Sequence, residues 1–262
     1  MKTALRERLN RGETLLGGWL QLPAPLAARI VAGQGFDWVA VDGEHGPIDL
    51  ETVAEMLGAI CSQGPAAVVR VPAVDAVWIR RSLDAGADGI IVPMVHTAEE
   101  ARRVVEYARY PPLGRRGFGF AVANEFGAQF ADYARTANDR IALVVQIEHI
   151  DAVSAVDSIL DVNGVDGALI GPYDLSGSMG LTGQVNHPEV LAAAGRVLAA
   201  CVQRGKAAGI HVVSADPAAA RPFVAQGYRF IALGLDTLFL RDAASRVLHG
   251  ARTAGSPSTP EN

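Results

Sequence analysis

Cysteine is scarce in this chain: Cys61 and Cys201 are the only two in 262 residues, on separate predicted helices. They form neither a CxxC spacing nor a disulfide framework, which points to a reduced, cytoplasmic setting. Lysine is equally scarce. Lys2 and Lys206 are the only two, and neither ends a predicted strand, so Schiff-base chemistry lacks its nucleophile. No basic cluster offsets the net charge of −5, which argues against a nucleic-acid partner. No apolar run approaches membrane-spanning length, and the opening MKTALRERLNRG is charged and has no apolar signal core. No serine stands in a G-x-S-x-G elbow. No glycine-rich phosphate fingerprint follows the first predicted strand, where QLPAP stands instead.

What is present is apolar and regular. Half the residues are hydrophobic and 28 are glycine, enough for a large core with many tight connections. Short apolar runs alternate with amphipathic segments: strands are predicted at residues 15–22, 36–43, 66–72, 89–95, 141–148, 167–172, 207–213 and 229–236. Helices fall between them, with Asp75 and Thr97 as N-caps, a helix over 217–226, and a last one to about residue 248. Such strands, apolar throughout and so buried on both faces, predict a single (β/α)8 TIM barrel over residues 1–250, with a tail at 251–262. The alternative is an open doubly wound sheet.

A barrel concentrates chemistry at the carboxyl ends of its strands. Those ends read Gln21; Asp42, Glu44 and His45; Arg70; Pro93 and His96; Gln146, Glu148 and His149; Gly171 and Asp174; Ser214; and Asp236. Glu148 and Asp174 follow consecutive strands, so both carboxylates emerge at one mouth. Paired acidic oxygens suit a divalent cation such as Mg²⁺ or Mn²⁺. His45, between Gly43 and Gly46, is placed for proton transfer. Arg70 ends an apolar strand and needs an anion: a substrate oxygen, or a structural partner in Asp42 or Glu44, the two readings being compatible. In GPYD, Pro172 suits a first helical turn whose free N–H groups around Tyr173 and Asp174 would face a small carboxylate. His96, His149, His187 and His249 read as helix-start, rim or solvent-exposed residues.

Together FDWVAVDGEHGPIDLETV, VVRVP, LDAGADGIIVPMV, VQIE and LIGPYDLSGSMG resemble the HpcH/HpaI family of metal-dependent class II pyruvate aldolases, in order from about residue 17 to 240. The resemblance implies reversible cleavage of 4-hydroxy-2-oxo acids into pyruvate, or hydroxypyruvate, and an aldehyde through a metal-stabilised enolate. It implies a cation (Mg²⁺, Mn²⁺ or Co²⁺) on Glu148 and Asp174, no organic cofactor, and a pyruvyl end held by Gln146 and residues Gly171, Pro172, Tyr173 and Asp174. Arg70 would stabilise the enolate oxygen, with Asp42 in the same catalytic set, and His45 would take the aldol proton. Asp84 matches the acidic residue that raises the basicity of that histidine. Ten residues into its helix, however, Asp84 lies some 15 Å below the mouth at ~1.5 Å per residue, so it would serve a neighbouring subunit's histidine. The family resemblance supplies that neighbour, through homo-hexamers built as trimers of dimers that exchange the last helix. The related alternative on the same scaffold is a citrate synthase-like or citramalyl-CoA lyase-like enzyme. Two departures from the pattern stand out: Tyr173 occupies a position where a small residue is common, and GFGFAVANEFG lacks an arginine suited to a distal carboxylate.

Overall fold

The computed structural model describes residues 3–253; Lys2 and the GSPSTPEN end lie outside the described residues. Its strands are β1 (Leu15–Leu20), β2 (Trp38–Asp42), β3 (Ala66–Arg70), β4 (Gly89–Val92), β5 (Ala142–Ile147), β6 (Gly167–Ile170), β7 (Ala207–Val212) and β8 (Phe230–Leu233). All pair in parallel in sequence order, and β8 returns to β1, closing the barrel. The open sheet is thereby excluded.

The period of two along each strand divides the core. Trp19, Trp38, Ala40, Val68, Ile91, Val144, Leu169 and Phe230 pack with one another inside the barrel. Their chain neighbours, among them Leu20, Val39, Val41, Val69, Ile90, Val145 and Ile170, pack outward under the helices. The inward series continues past these apolar layers. Two residues beyond Trp19, Ala40, Val68, Val144 and Leu169 stand Gln21, Asp42, Arg70, Gln146 and Gly171, and β7 adds His211 from the same layer. Register sets the closest of them side by side, Asp42 opposite Arg70.

The helices are α1 (Leu5–Asn10), α2 (Pro25–Ala32), α3 (Leu50–Cys61), α4 (Ala76–Asp84), α5 (Ala98–Ala108) and α6 (Phe130–Arg140). After β5 come α7 (Ile150–Ser154), α8 (Val156–Leu160), α9 (Pro172–Ser178), α10 (Pro188–Gln203), α11 (Arg221–Gln226) and α12 (Asp236–Thr253). Asp75 caps α4, and Thr97 forms a capping box with Glu100 at α5. α1 closes the amino end of the barrel, where Leu5 and Leu9 join the inner core. There Asp166 is neutralised by Arg6 at 2.7 Å and Arg109 at 3.2 Å.

The strands are shorter than the sequence reading by one to four residues, and two helix boundaries also differ. The helix expected from residue 217 starts at Arg221, because residues 217–220 form turns. The last helix, expected to end at about residue 248, runs on to Thr253, and the remainder of the tail expected at residues 251–262 lies outside the described residues. The start of α12 is tied to the end of β1, with Asp236 accepting hydrogen bonds from the backbone of Gln21 (2.9 Å) and Leu22 (3.0 Å). Beyond that anchor its apolar residues Leu240, Val247 and Leu248 are 63, 75 and 54% exposed, so the helix does not lie back on its own barrel.

Candidate active site

One side of the mouth is built by β2 and β3. Arg70 donates from Nε to Asp42 Oδ1 at 2.8 Å and from Nη2 to Asp42 Oδ2 at 2.6 Å, a two-pronged pair with both residues buried. Asp42 also accepts from Trp19 Nε1 (3.2 Å) and Gln21 Nε2 (3.0 Å). Burial alone would raise its carboxyl, but the Arg70 bonds win and hold it at about 2. The third guanidinium nitrogen, Nη1, lies 2.8 Å from Glu44 Oε2 as an ion pair, although that oxygen finds no aligned hydrogen bond. Burial raises the Glu44 carboxyl against the pull of Arg70, and Asp42 and Asp174 push it the same way. The structural reading of Arg70 holds here, since Asp42 and Glu44 lock it, and it also lines the cavity, where the substrate-oxygen reading would place it.

The turn after β2 needs its glycines. A Cβ on Gly46 would come within 2.6 Å of the Asp42 carbonyl oxygen and 3.0 Å of that of Gln21. The sharp turn leaves the His45 side chain 55% exposed with Nε2 3.9 Å from Glu44 Oε2, while its backbone N–H donates to Asp42 Oδ1 at 3.2 Å.

The other side comes from β5 and β6. Glu148 is 3% exposed; Oε1 accepts from the backbone N–H of Met94 at 2.8 Å and Oε2 from Gln146 Nε2. Met94 holds a left-handed φ of 54°, a conformation uncommon for a side chain of its kind, and so aims that N–H at the carboxylate. Burial lifts the Glu148 carboxyl to about 7, and the negative charges of Glu44 and Asp174 add to the rise. No cation offsets them in the way Arg70 serves Asp42. Gln146 Oε1 is also buried without a partner. Asp174 rises from the first turn of α9, exposed to the mouth. Between the two carboxylates Gly171 keeps space open, since a Cβ there would lie 2.8 Å from Glu148 Oε2 and 3.0 Å from Gln146 Nε2.

Among the described residues no cluster of three or more His, Cys, Asp or Glu forms a ready cation cage. The donor set nevertheless fits a hard divalent ion bound by two carboxylates and completed by substrate and water oxygens. A buried carboxylate facing two like charges, an orphaned amide oxygen and an open cradle at Gly171 all call for positive charge at this place. The shared cavity measures about 230 Å³ and is lined by His45, Arg70, Gln146, Tyr173, Asp174 and His211, among others.

Asp84 stands apart. At the end of α4 it binds Arg116 Nη2 at 2.7 Å, and that buried guanidinium also packs over Tyr110, its Cζ 4.6 Å from the ring centre. Within one chain Asp84 has Arg116, not His45, as its partner. His149 caps α7 through its own ring nitrogen and stacks near His96, their ring centres 4.9 Å apart. His187 caps α10 in the same manner, and His249 is exposed on α12.

Two residues of the mouth were missed from the sequence. His211 stacks on Trp19 with ring centres 4.5 Å apart and hydrogen-bonds to the Gly234 carbonyl at 2.9 Å. Burial lowers its pKa to about 4, so it stays neutral. Trp19 carries Arg70 over its face at 4.9 Å. The signal was strand parity: in AAGIHVV and LLGGWLQL both fall on the inward series.

The sequence model of the HpcH/HpaI aldolase/citrate lyase family matches residues 15–243. The chain belongs to this family. A 4-hydroxy-2-oxo-heptane-1,7-dioate aldolase of Salmonella dublin is 43% identical over 245 residues, 93% of this chain and 92% of that protein. An HpcH/HpaI aldolase/citrate lyase family protein from Burkholderia cenocepacia J2315 superposes with a TM-score of 0.90 at 39% identity, over 95% of this chain and 98% of the other. Citrate synthase SbnG superposes with a TM-score of 0.87 at 30% identity, over 97% and 99%. In this family member, then, the barrel mouth carries a completed ion-pair side and an uncompensated carboxylate side.

Proposed function

We propose that the chain is a carbon–carbon lyase that reversibly cleaves 4-hydroxy-2-oxo acids into pyruvate, or hydroxypyruvate, and an aldehyde. The observation that carries this reading is the split mouth: buried Glu148, hydrogen-bonded to Gln146, has no arginine or lysine partner among the described residues, while Gln146, a positioned guanidinium and an exposed imidazole line one cavity. Glu148 and Asp174 would hold a divalent cation, Mg²⁺, Mn²⁺ or Co²⁺, which supplies Lewis-acid polarisation of the 2-oxo group. Gln146 and the backbone N–H groups at the start of α9 orient the carboxylate end of the 2-oxo acid. Arg70 is held rigid by Asp42, so its remaining donor capacity faces the oxygen on which charge grows as the C3–C4 bond breaks. His45 takes the proton of the 4-hydroxyl as that bond breaks and its electrons pass into the enolate. The aldehyde leaves, and protonation at C3 yields pyruvate.

Asp84 assists His45 across a subunit boundary in this reading, in a homo-hexamer arranged as a trimer of dimers with α12 exchanged. Support comes from the exposed apolar residues of α12 and from Leu26 (71% exposed) and Ile30 (60%) on α2. A cytoplasmic location fits two cysteines on separate helices. No helix among the described residues is long and apolar enough to cross a membrane.

The test is an aldol assay with pyruvate and short aldehydes. Activity is expected to vanish with EDTA and return with Mg²⁺, Mn²⁺ or Co²⁺, while borohydride plus pyruvate leaves the enzyme active. Borohydride trapping of pyruvate on the chain would refute the reading. The structural likeness to citrate synthase SbnG favours a citrate-forming synthase as the second reading; formation of citrate in place of a 4-hydroxy-2-oxo acid would select it. A CoA thioester lyase fares worse, because among the described residues Arg70 is the one basic side chain other than histidine lining the cavity.

A further inference from the structure

Beside the pyruvyl cavity lies a second cavity of about 430 Å³, between β7, α10 and α11. The two share Pro172, Tyr173, His211 and Val213, so they adjoin at the end of β7. The walls of the second are mainly apolar, with Leu175, Val190, Leu191, Ile210 and Phe223 facing it and the uncharged Asn186, Ser214 and Gln226 at its edge. Among the described residues no Lys, Arg, Asp or Glu lines it. Its histidine is His211, which burial keeps neutral and which is spent on the Gly234 carbonyl. Tyr173, half exposed, forms part of both walls.

An aldehyde must present its carbonyl carbon to C3 of the enolate in the first cavity, so its substituent has to occupy whatever space adjoins. A distal carboxylate entering the second cavity would lose its water and meet no cation, which is costly. An alkyl chain or aromatic ring would bury apolar surface against the same walls. We infer that the acceptor aldehyde carries an uncharged, apolar substituent, a medium aliphatic chain or an aryl ring, seated in the β7–α10–α11 cavity beside Tyr173. This rests on the aldolase reading and names its substrate class. It also separates this chain from the relatives named for a heptane-1,7-dioate, a substrate with a second carboxylate at its far end.

The experiment measures kcat/KM for addition of pyruvate to acetaldehyde, butanal, hexanal, benzaldehyde and succinic semialdehyde, with the full chain and saturating Mn²⁺. Each added methylene is expected to raise kcat/KM about 3-fold until the cavity is filled. Hexanal and benzaldehyde should exceed succinic semialdehyde at least ~10-fold. Leu191→Arg, at a half-exposed position on the cavity rim, should move the hexanal to succinic semialdehyde ratio ~10-fold toward the acid and leave acetaldehyde kinetics unchanged. Ala194→Phe, which fills the cavity from α10, should lower hexanal turnover selectively. Acetaldehyde turnover combined with a preference for succinic semialdehyde overturns the inference and spares the aldolase reading. A Leu191→Arg variant that changes oligomeric state but not the aldehyde ratio assigns the cavity to a subunit contact and also overturns it. If no aldehyde reacts with pyruvate, the aldolase reading fails and the inference falls with it.

Discussion

The two sides of the barrel mouth use the same kinds of residue and end in opposite electrostatic states. On the β2–β3 side, Asp42 and Glu44 surround Arg70, and the Asp42 carboxyl is held at about 2. On the β5–β6 side, Glu148 has only a backbone N–H and an amide as donors, faces two other carboxylates and is lifted to about 7. The amino end of the barrel resembles the first side, with Asp166 neutralised by two arginines. A buried carboxylate is compensated in this fold by arginine, as at Asp42 and Asp166, or by a set of backbone N–H groups, as at Asp236. Glu148, which faces two like charges, is the place where we propose that a cation completes the assembly.

Removing the cation from the finished side has the largest expected effect. Arg70→Met leaves the buried Asp42 and the half-buried Glu44 without their cation, and should cost ~3–5 kcal/mol in urea unfolding and abolish turnover. His45→Ala, at an exposed position on the same side, should lower kcat ~10²–10⁴-fold with little change in stability or in pyruvate affinity. Mixing inactive His45→Ala and Asp84→Ala chains should restore part of the activity if the pair acts across subunits. Hybrids that stay inactive would place Asp84 outside the mechanism and leave it to its Arg116 ion pair.

The two sides should also answer pH in opposite directions. Asp42 is depressed from 3.8 to about 2, so its contribution is present above pH 3.8 and is lost as pH falls through 2. At ~1.4 kcal/mol per pH unit this is ~2 kcal/mol. Glu148 is raised from 4.5 to about 7, so in cation-free protein its contribution is present below pH 4.5 and is lost as pH rises through 7, ~3 kcal/mol in all. Thermal unfolding in EDTA should show Glu148→Gln more stable than the parent at pH 8 and no longer so at pH 4.5. An unchanged difference between those pH values would erase the contrast between the two sides. The smallest effect is expected at Gly171→Ala. Its Cβ would crowd Glu148 Oε2 and Gln146 Nε2, and should weaken cation binding ~10-fold while the fold stays intact.

Much of this was legible in the sequence. Eight apolar runs gave the barrel, and the strand ends picked out Asp42, His45, Arg70, Gln146, Glu148 and Asp174; of these the structure sets His45, Arg70, Gln146 and Asp174 around one cavity, with Asp42 bonded to Arg70 and Glu148 to Gln146. His211 and Trp19 were not picked out, because they lie inside their strands and only parity turns them inward. The left-handed Met94 that aims its N–H at Glu148 was equally hidden, since nothing in GIIVPMV signals a positive φ at a methionine. The Asp84–Arg116 pair joins α4 to a loop 32 residues later, a separation that no local pattern encodes. The acceptor cavity between β7, α10 and α11 was out of reach for the same reason, as its walls come from three elements that meet only in the folded chain.

Calorimetric titration of the EDTA-treated protein with Mn²⁺, at pH 6 and pH 8, reaches the difference between the two sides most directly. One Mn²⁺ per chain should bind more tightly at pH 8, release protons at pH 6 as Glu148 ionises, bind more tightly again with pyruvate present, and be lost in Glu148→Gln. Binding that is independent of pH and survives Glu148→Gln would mean that the carboxylate side of the mouth is not where the cation belongs.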